Sequence, residues 1–218
     1  MSKPFLYLDI CGTLFYQNTT FGFVHFVIVD FPLRFFLFSI ANRHISPFTF
    51  LLKVIDRLFN LNLQRNLNLF LLRSLPRDYL LSKASSYVDY LFSSSLNHHV
   101  FSLLKHYSSS HDLFIASASL DIVVNEIALR LSCGSISSKL SFNDEFLCNG
   151  YVTSDTLRSK YSLLTNLFGN KVISSSVVIT DNLTDLALVK SASISYIPVY
   201  SKSARQFWLR NSPLSFLI

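Results

Sequence analysis

A chain of 218 residues, half of them apolar and 15% charged, is long enough for one domain or for one domain carrying an insert, and its 21 Phe exclude a disordered segment. Its three cysteines, Cys11, Cys133 and Cys148, exclude a disulfide scaffold and fit free thiols in a reducing compartment. The formal net charge of +6 is spread without a basic run or an aromatic-interleaved basic face, so nucleic acid is not an expected partner.

The first element, Phe5-Leu-Tyr-Leu8, is a short continuous apolar run stopped by a turn over Asp9–Thr13 that contains Gly12, and it predicts a buried strand. No secretory signal is expected here, because Asp9 interrupts the apolar run and no small-residue cleavage site follows. From about Phe15 to Ser95, Leu and Phe recur at helical spacing, as in Leu51, Leu52, Ile55, Leu58 and Phe59, then Leu67, Phe70 and Leu71. Pro32, Pro47 and Pro76 punctuate that block, which predicts an all-helical insert. Its most apolar stretch, Phe21 to Ile40, carries His25, Asp30, Pro32 and Arg34, whereas a spanning helix wants about 20 residues with few or no charges. A buried or membrane-touching helix is the expectation. Arg34, Arg43 and Lys53 nearby would suit a lid that meets a membrane surface or an amphiphilic substrate.

After Asn97 the pattern alternates. A helix over 100–107 leads to a strand over 113–116 that ends at Ser117, and a helix over 122–131 follows. Two short strands lie between Lys139 and Thr153, around Asn143-Asp-Glu and Asn149-Gly150. Then come a helix over 160–168, a strand over 176–179, a helix from Leu186 to Ser191 and a strand over 195–199. Serine clusters at 93–95, 108–110 and 174–176 read as loops. Strands alternating with helices predict an α/β fold, a doubly wound parallel sheet covered on both faces. The domain reading is an α/β core of residues 1–15 and 96–218 with a helical cap of residues 16–95.

Three of these strands end in Asp9, Ser117 and Asp181, and open parallel sheets bind ligands beyond the carboxyl ends of their strands. Lys160 opens a helix that could bring a cation to the same edge. Two carboxylates, a hydroxyl and a lysine suit phosphoryl transfer: one carboxylate can attack phosphorus, both can hold Mg²⁺, and the Ser and Lys can cradle the other oxygens. Taken singly, an Asp after a strand is commonly a turn or cap residue, Ser117, Ser119 or Asp121 could cap the next helix, and Lys160 could be a solvated helix residue. His98, His99, His106 and His111 have no zinc-type spacing.

The ordered set has a further meaning. Phe5-Leu-Tyr-Leu-Asp-Ile-Cys-Gly-Thr-Leu14 resembles the first motif of the haloacid dehalogenase-like (HAD) superfamily, an apolar strand followed by Asp-x-Asp-Gly-Thr, in the branch that contains phosphoserine phosphatase. Phe114-Ile-Ala-Ser-Ala-Ser119 resembles the second motif, Lys160 sits where the third-motif Lys belongs, and Val177-Val-Ile-Thr-Asp-Asn-Leu-Thr-Asp-Leu186 resembles the fourth. The resemblance implies a Mg²⁺-dependent phosphomonoesterase with Asp9 as nucleophile. It implies Asp9, Asp181 and the backbone carbonyl of Cys11 as metal ligands, with Asp185 supporting the metal shell. Ser117 and Ala118 would meet the phosphoryl group, Lys160 would neutralise it, and Gly12 and Thr13 would shape the phosphate loop. The implied partner is a phosphorylated small molecule or lipid in the cytoplasm, with peripheral membrane contact through the cap as an option.

Cys11 departs from the pattern. Relatives carry a second Asp there, which protonates the leaving oxygen and then activates water; a thiol of pKa near 8.5 is a poor substitute. Thr184 departs too, standing where relatives carry an amide or acid. A catalytically weak accessory protein therefore stays open as the alternative, as does phosphonate or carbon–halogen hydrolysis, against which the cap's location argues.

Overall fold

The period-two alternation of a buried strand decides which way each side chain of the sheet points. In the computed structural model, which describes residues 3–42, 54 and 62–218, Phe5–Leu8 forms β1 at the centre of a seven-stranded sheet. The helical spacing at Leu51, Leu52, Ile55, Leu58 and Phe59, together with Arg43, Pro47 and Lys53, lies outside the described residues. The remaining strands are β2 (Asp112–Leu120), β3 (Gly134–Phe142), β4 (Cys148–Ser154), β5 (Val177–Ile179), β6 (Ile194–Ile197) and β7 (Phe216–Leu217), in the spatial order β4-β3-β2-β1-β5-β6-β7. All neighbours are parallel except β4, which returns antiparallel along β3.

Leu6 and Leu8 of β1, with Val177 and Ile179 of β5, point into a large core. Tyr7 and Val178 point the other way, into a smaller core with Leu164, Leu188, Ile197 and Trp208. Helices cover both faces, as expected of a doubly wound sheet. Between β1 and β2 the described residues include α1 (Thr19–Ile28), α2 (Pro32–Asn42) and the helices Leu63–Phe70, Arg77–Ser94 and His98–Tyr107. Asn18 caps α1 by accepting from Phe21 N–H at 3.1 Å, and Pro32 occupies the first position of α2, where its missing N–H costs nothing. On the Arg77–Ser94 helix, Leu80, Ala84, Tyr87, Val88 and Leu91 form one buried stripe. That stripe shares the large core with the first sheet face, so the inserted helices do not keep a separate hydrophobic centre. α2 is the exception: Ala41 alone is fully buried on it, while Leu33 is 73% and Phe36 61% exposed.

Two sequence expectations need correction, and two elements go beyond them. β2 does not end at Ser117 but continues to Leu120 with an irregular register past Ala116. Ser117 and Ser119 are both buried there, and small hydroxyl residues that find partners can stay in a strand although their type reads as a turn. Ser93 and Ser94 are helical, being the last turn of Arg77–Ser94. The helix Lys202–Asn211 and β7 are elements the sequence reading did not name: the helix buries fully only Trp208 and starts on Ser201, which accepts from Ala204 N–H at 3.1 Å.

Candidate active site

β1 pairs with β2 on one side and β5 on the other, and Leu8 lies level with both Ile115 and Ile179. The chain therefore leaves all three strands at one edge, on either side of the central strand, which is the switch point where open α/β sheets bind ligands. Asp9 N–H donates to Ile179 O at 3.0 Å, and its Oδ1 accepts from Ile10 N–H at 2.7 Å. Lys160, first residue of the helix Lys160–Phe168, is 2% exposed and its Nζ donates to Asp9 Oδ2 and to Asp185 Oδ2, both at 2.7 Å. Thr180 Oγ1 donates to the same Asp185 oxygen at 2.7 Å. Burial alone would push the Lys160 ammonium down, but Asp9 and Asp185 more than reverse that and hold it above its ordinary range. Asp185 thus faces a lysine and a threonine, where the resemblance implied the metal shell.

Gly12 and Thr13 bring Asp181 in beside Asp9. Thr13 Oγ1 donates to Asp181 Oδ1 at 2.9 Å, and Asp181 N–H donates back to Thr13 Oγ1 at 2.9 Å. Gly12 has φ of +69°, and a side-chain carbon on it would collide with Asp181 Oδ2, so conformation and space both require glycine. Burial, and secondarily the negative charge of Asp9, lift the Asp181 carboxyl to about 6, and the Thr13 bond does not offset them. A cation on oxygen donors would relieve that pair. Among the described residues no three His, Cys, Asp or Glu side chains gather closely enough to cage an ion. Mg²⁺ asks for less, since it takes one or two carboxylates and completes its shell with water and substrate oxygens, so Asp9 and Asp181 fit it.

A pH dependence follows. The folded chain holds the Asp181 proton up to about pH 6, whereas the unfolded chain releases it near 3.8, so this group takes stability away as pH rises through that window. Mg²⁺ is expected to raise the melting temperature clearly at pH 7.5 and little at pH 5, where the proton competes. Asp181→Asn should lose the difference. Equal Mg²⁺ shifts at both pH values in thermal melts would contradict the assignment.

Cys11 lies on the other side of Asp9. Its Sγ is 2.9 Å from Thr19 Oγ1 and 3.1 Å from Ser119 Oγ, and Thr19 N–H donates to it at 3.3 Å. Burial first, and Asp9 second, push the thiol up, so it stays protonated at neutral pH. Ser119 Oγ also meets Thr19 Oγ1 at 2.6 Å and Ser117 Oγ at 3.1 Å, which joins Cys11 and Ser117 into one hydroxyl network. The Ser117 carbonyl accepts from Thr156 Oγ1 at 2.6 Å. Over this network Arg65, from the inserted helix Leu63–Phe70, donates to the Ala118 carbonyl at 2.9 Å and to Asp155 Oδ2 at 2.6 Å. Burial would raise the Asp155 carboxyl, but Arg65 reverses this and holds it below the usual range.

The structure therefore gathers Asp9, Lys160 and Asp185 in one bonded cluster, with Thr13 and Asp181 beside it and Cys11, Ser117 and Ala118 on the opposite flank. Thr184 stays apart on an exposed turn, its hydroxyl donating to Asn182 Oδ1 at 2.9 Å. Thr19, Thr156, Arg65 and Asp155 complete the site outside any motif segment, where common polar residues carry no local signal; Ser119 and Thr180 stand within the motif segments, Ser119 read there only as a candidate cap and Thr180 given no role.

No protein-family model matches this chain, and no curated protein does. Solved structures do match. A protein of unknown function from Bordetella pertussis Tohama I superposes with TM-score 0.70 at 12% identity, covering 100% of this chain and 99% of that one. A HAD family hydrolase from Salmonella enterica serovar Typhi gives 0.65 at 13% identity, covering 94% of this chain and 66% of that one. A phosphoserine phosphatase captured as a phospho-aspartyl intermediate analogue gives 0.59 at 14% identity, covering 95% and 91%. The chain has the fold of the HAD-type hydrolases and phosphoserine phosphatases.

Proposed function

We propose that this protein is a Mg²⁺-dependent phosphomonoester hydrolase that works through an aspartyl-phosphate on Asp9. The observation that carries the reading is the buried Lys160, bonded at 2.7 Å to the carboxylates of both Asp9 and Asp185 at the ligand-binding edge of the sheet. One Asp9 oxygen attacks phosphorus as the bond to the leaving oxygen breaks, and water then cleaves the acyl phosphate. Lys160 orients Asp9 and offsets charge that builds on the phosphoryl oxygens, and Asp185 and Thr180 hold Lys160 in place. Ser117 and the backbone around Gly12 supply further hydrogen bonds. Mg²⁺, held by Asp9, Asp181 and the Cys11 carbonyl, would neutralise charge on the phosphate.

Cys11 supports a second reading, an accessory protein with weak turnover. Burial and Asp9 raise its thiol, which makes it a poor proton donor to the leaving oxygen and leaves it too little ionised at neutral pH to activate water. The exposed α2 stripe of Leu33, Phe36 and Leu37 supports an amphiphilic substrate or a lipid surface as partner of the insert, and no helix among the described residues is long and apolar enough to cross a membrane.

The test is Mg²⁺-dependent phosphate release from a panel of sugar, amino-acid, nucleotide and lipid phosphates. Asp9→Asn is expected to remove release altogether, and undiminished release in that variant would overturn the mechanism. No release from any substrate, with a folded protein that binds Mg²⁺, would favour the accessory role.

A further inference from the structure

Arg65 stands where its own helix disfavours a cation. It is the third residue of Leu63–Phe70, in a first turn that holds no acidic residue, and the positive end of the helix dipole works against it by about 0.3–1 kcal/mol. Its guanidinium bonds the α/β core instead, and the side chain is 11% exposed there. Nη2 donates to the Ala118 carbonyl at 2.9 Å while Nη1 donates to Asp155 Oδ2 at 2.6 Å. Only the arginine fork places two nitrogens on two separate acceptors in this way; a lysine has one.

Each of these bonds leads to one of the two peptides that flank Ala118. The Ala118 carbonyl shares its peptide with the Ser119 N–H, which donates to Ser117 Oγ at 3.3 Å. On the other branch, Asp155 Oδ1 accepts from Ser138 Oγ at 2.9 Å, and Ser138 Oγ accepts from Thr156 N–H at 3.1 Å. Thr156 Oγ1 then donates to the Ser117 carbonyl at 2.6 Å, and that carbonyl shares its peptide with the Ala118 N–H. Ser117, Ser138 and Thr156 are all buried, so water does not compete for these bonds. We propose that Arg65 is a positioning residue, which sets the Ser117 hydroxyl and the Ala118 N–H for a bound phosphoryl group. Seating of the inserted helices on the core and assembly of this end of β2 are then one event, because the same guanidinium serves both. The inference rests on the reading of the Asp9 edge as a phosphate site, but it needs no turnover.

Inorganic phosphate, titrated with Mg²⁺ present and followed by the NMR shifts of the Ala118 and Ser119 amides, tests it. Arg65→Ala and Ser117→Ala are each expected to weaken phosphate about tenfold, the worth of one good hydrogen bond. The double variant should bind no more weakly than Arg65→Ala alone, whereas independent contributions would multiply to about a hundredfold. Arg65→Lys keeps the charge with a single donor and should recover only part of the loss. Asp155→Asn separates positioning from plain charge: removing a carboxylate should tighten phosphate if charge alone matters, and should weaken it severalfold if the Ser138–Thr156 branch does. That variant also decides the matter should Arg65→Ala not fold. A multiplied loss in the double variant, tighter phosphate in Asp155→Asn, or no phosphate binding by wild type would overturn the proposal. The expected pattern without release from any ester would leave it standing while removing the hydrolase reading.

Discussion

Lys160→Met is expected to destabilise the protein by about 3–5 kcal/mol, a fall of roughly 10 °C in Tm for a chain of this size. The substitution keeps the volume of the stem and removes one charge, leaving Asp9 and Asp185 buried and without their shared cation. Each of them is at most 4% exposed, so water cannot take the place of the ammonium. Because two carboxylates hold the Lys160 pKa above its ordinary value, its contribution is complete below that value and is lost only in strong alkali. The deficit of the variant should therefore be full at pH 7 and should shrink in acid, where burial makes Asp185 take up a proton early. Lys160→Met/Asp185→Asn should recover part of the loss. Urea unfolding of the three proteins at pH 7 and pH 4.5 measures this, and a deficit below about 1 kcal/mol would show that the ion pair does not hold the site together.

Cys11→Asp is expected to raise the rate of phosphate release by about 10²–10⁴-fold, the usual worth of a positioned acid and base. The surroundings suit a carboxylate: the Thr19 and Ser119 hydroxyls and the Thr19 N–H already converge on the sulfur. A carboxylate there would add a negative charge beside Asp9, so the metal-free variant should be less stable and should gain more from Mg²⁺ than wild type does. Initial rates on the best substrate of the panel decide the matter. A gain would mean that the rest of the machinery is intact and the thiol limits it. A loss would mean that the native chemistry uses the thiol, and an unchanged rate would place the limiting step elsewhere.

The sequence alone located most of the candidate site. Three apolar runs, each stopped by a polar residue, are a local pattern, and the rule that parallel strands present their carboxyl ends to one edge turns Asp9, Ser117 and Asp181 into neighbours without any coordinates. Lys160 was placed at the first position of its helix for the same kind of reason, as a polar residue opening an apolar periodic run. The hairpin of β3 and β4 is legible from Asn143-Asp-Glu, which is turn chemistry, whereas Asn149 and Gly150 lie inside β4, where Gly150 takes a positive φ of 79°.

What the tertiary structure decided was pairing. Nothing in the chain order says that Lys160 bonds Asp9 and Asp185 at once, 151 and 25 residues away, or that Asp185 meets a lysine. Nor could it show that Thr19 and Ser119 hydrogen-bond a thiol and that Ser117 joins them through Ser119, because serine and threonine occur everywhere and their meaning depends on what is packed against them. The same dependence hid the true end of β2 and the Arg65 bond to Ala118. Hydrophobic period is a property of neighbours along the chain, whereas a polar site is made by groups that folding brings together from afar, and only the packed molecule sets which donor meets which acceptor.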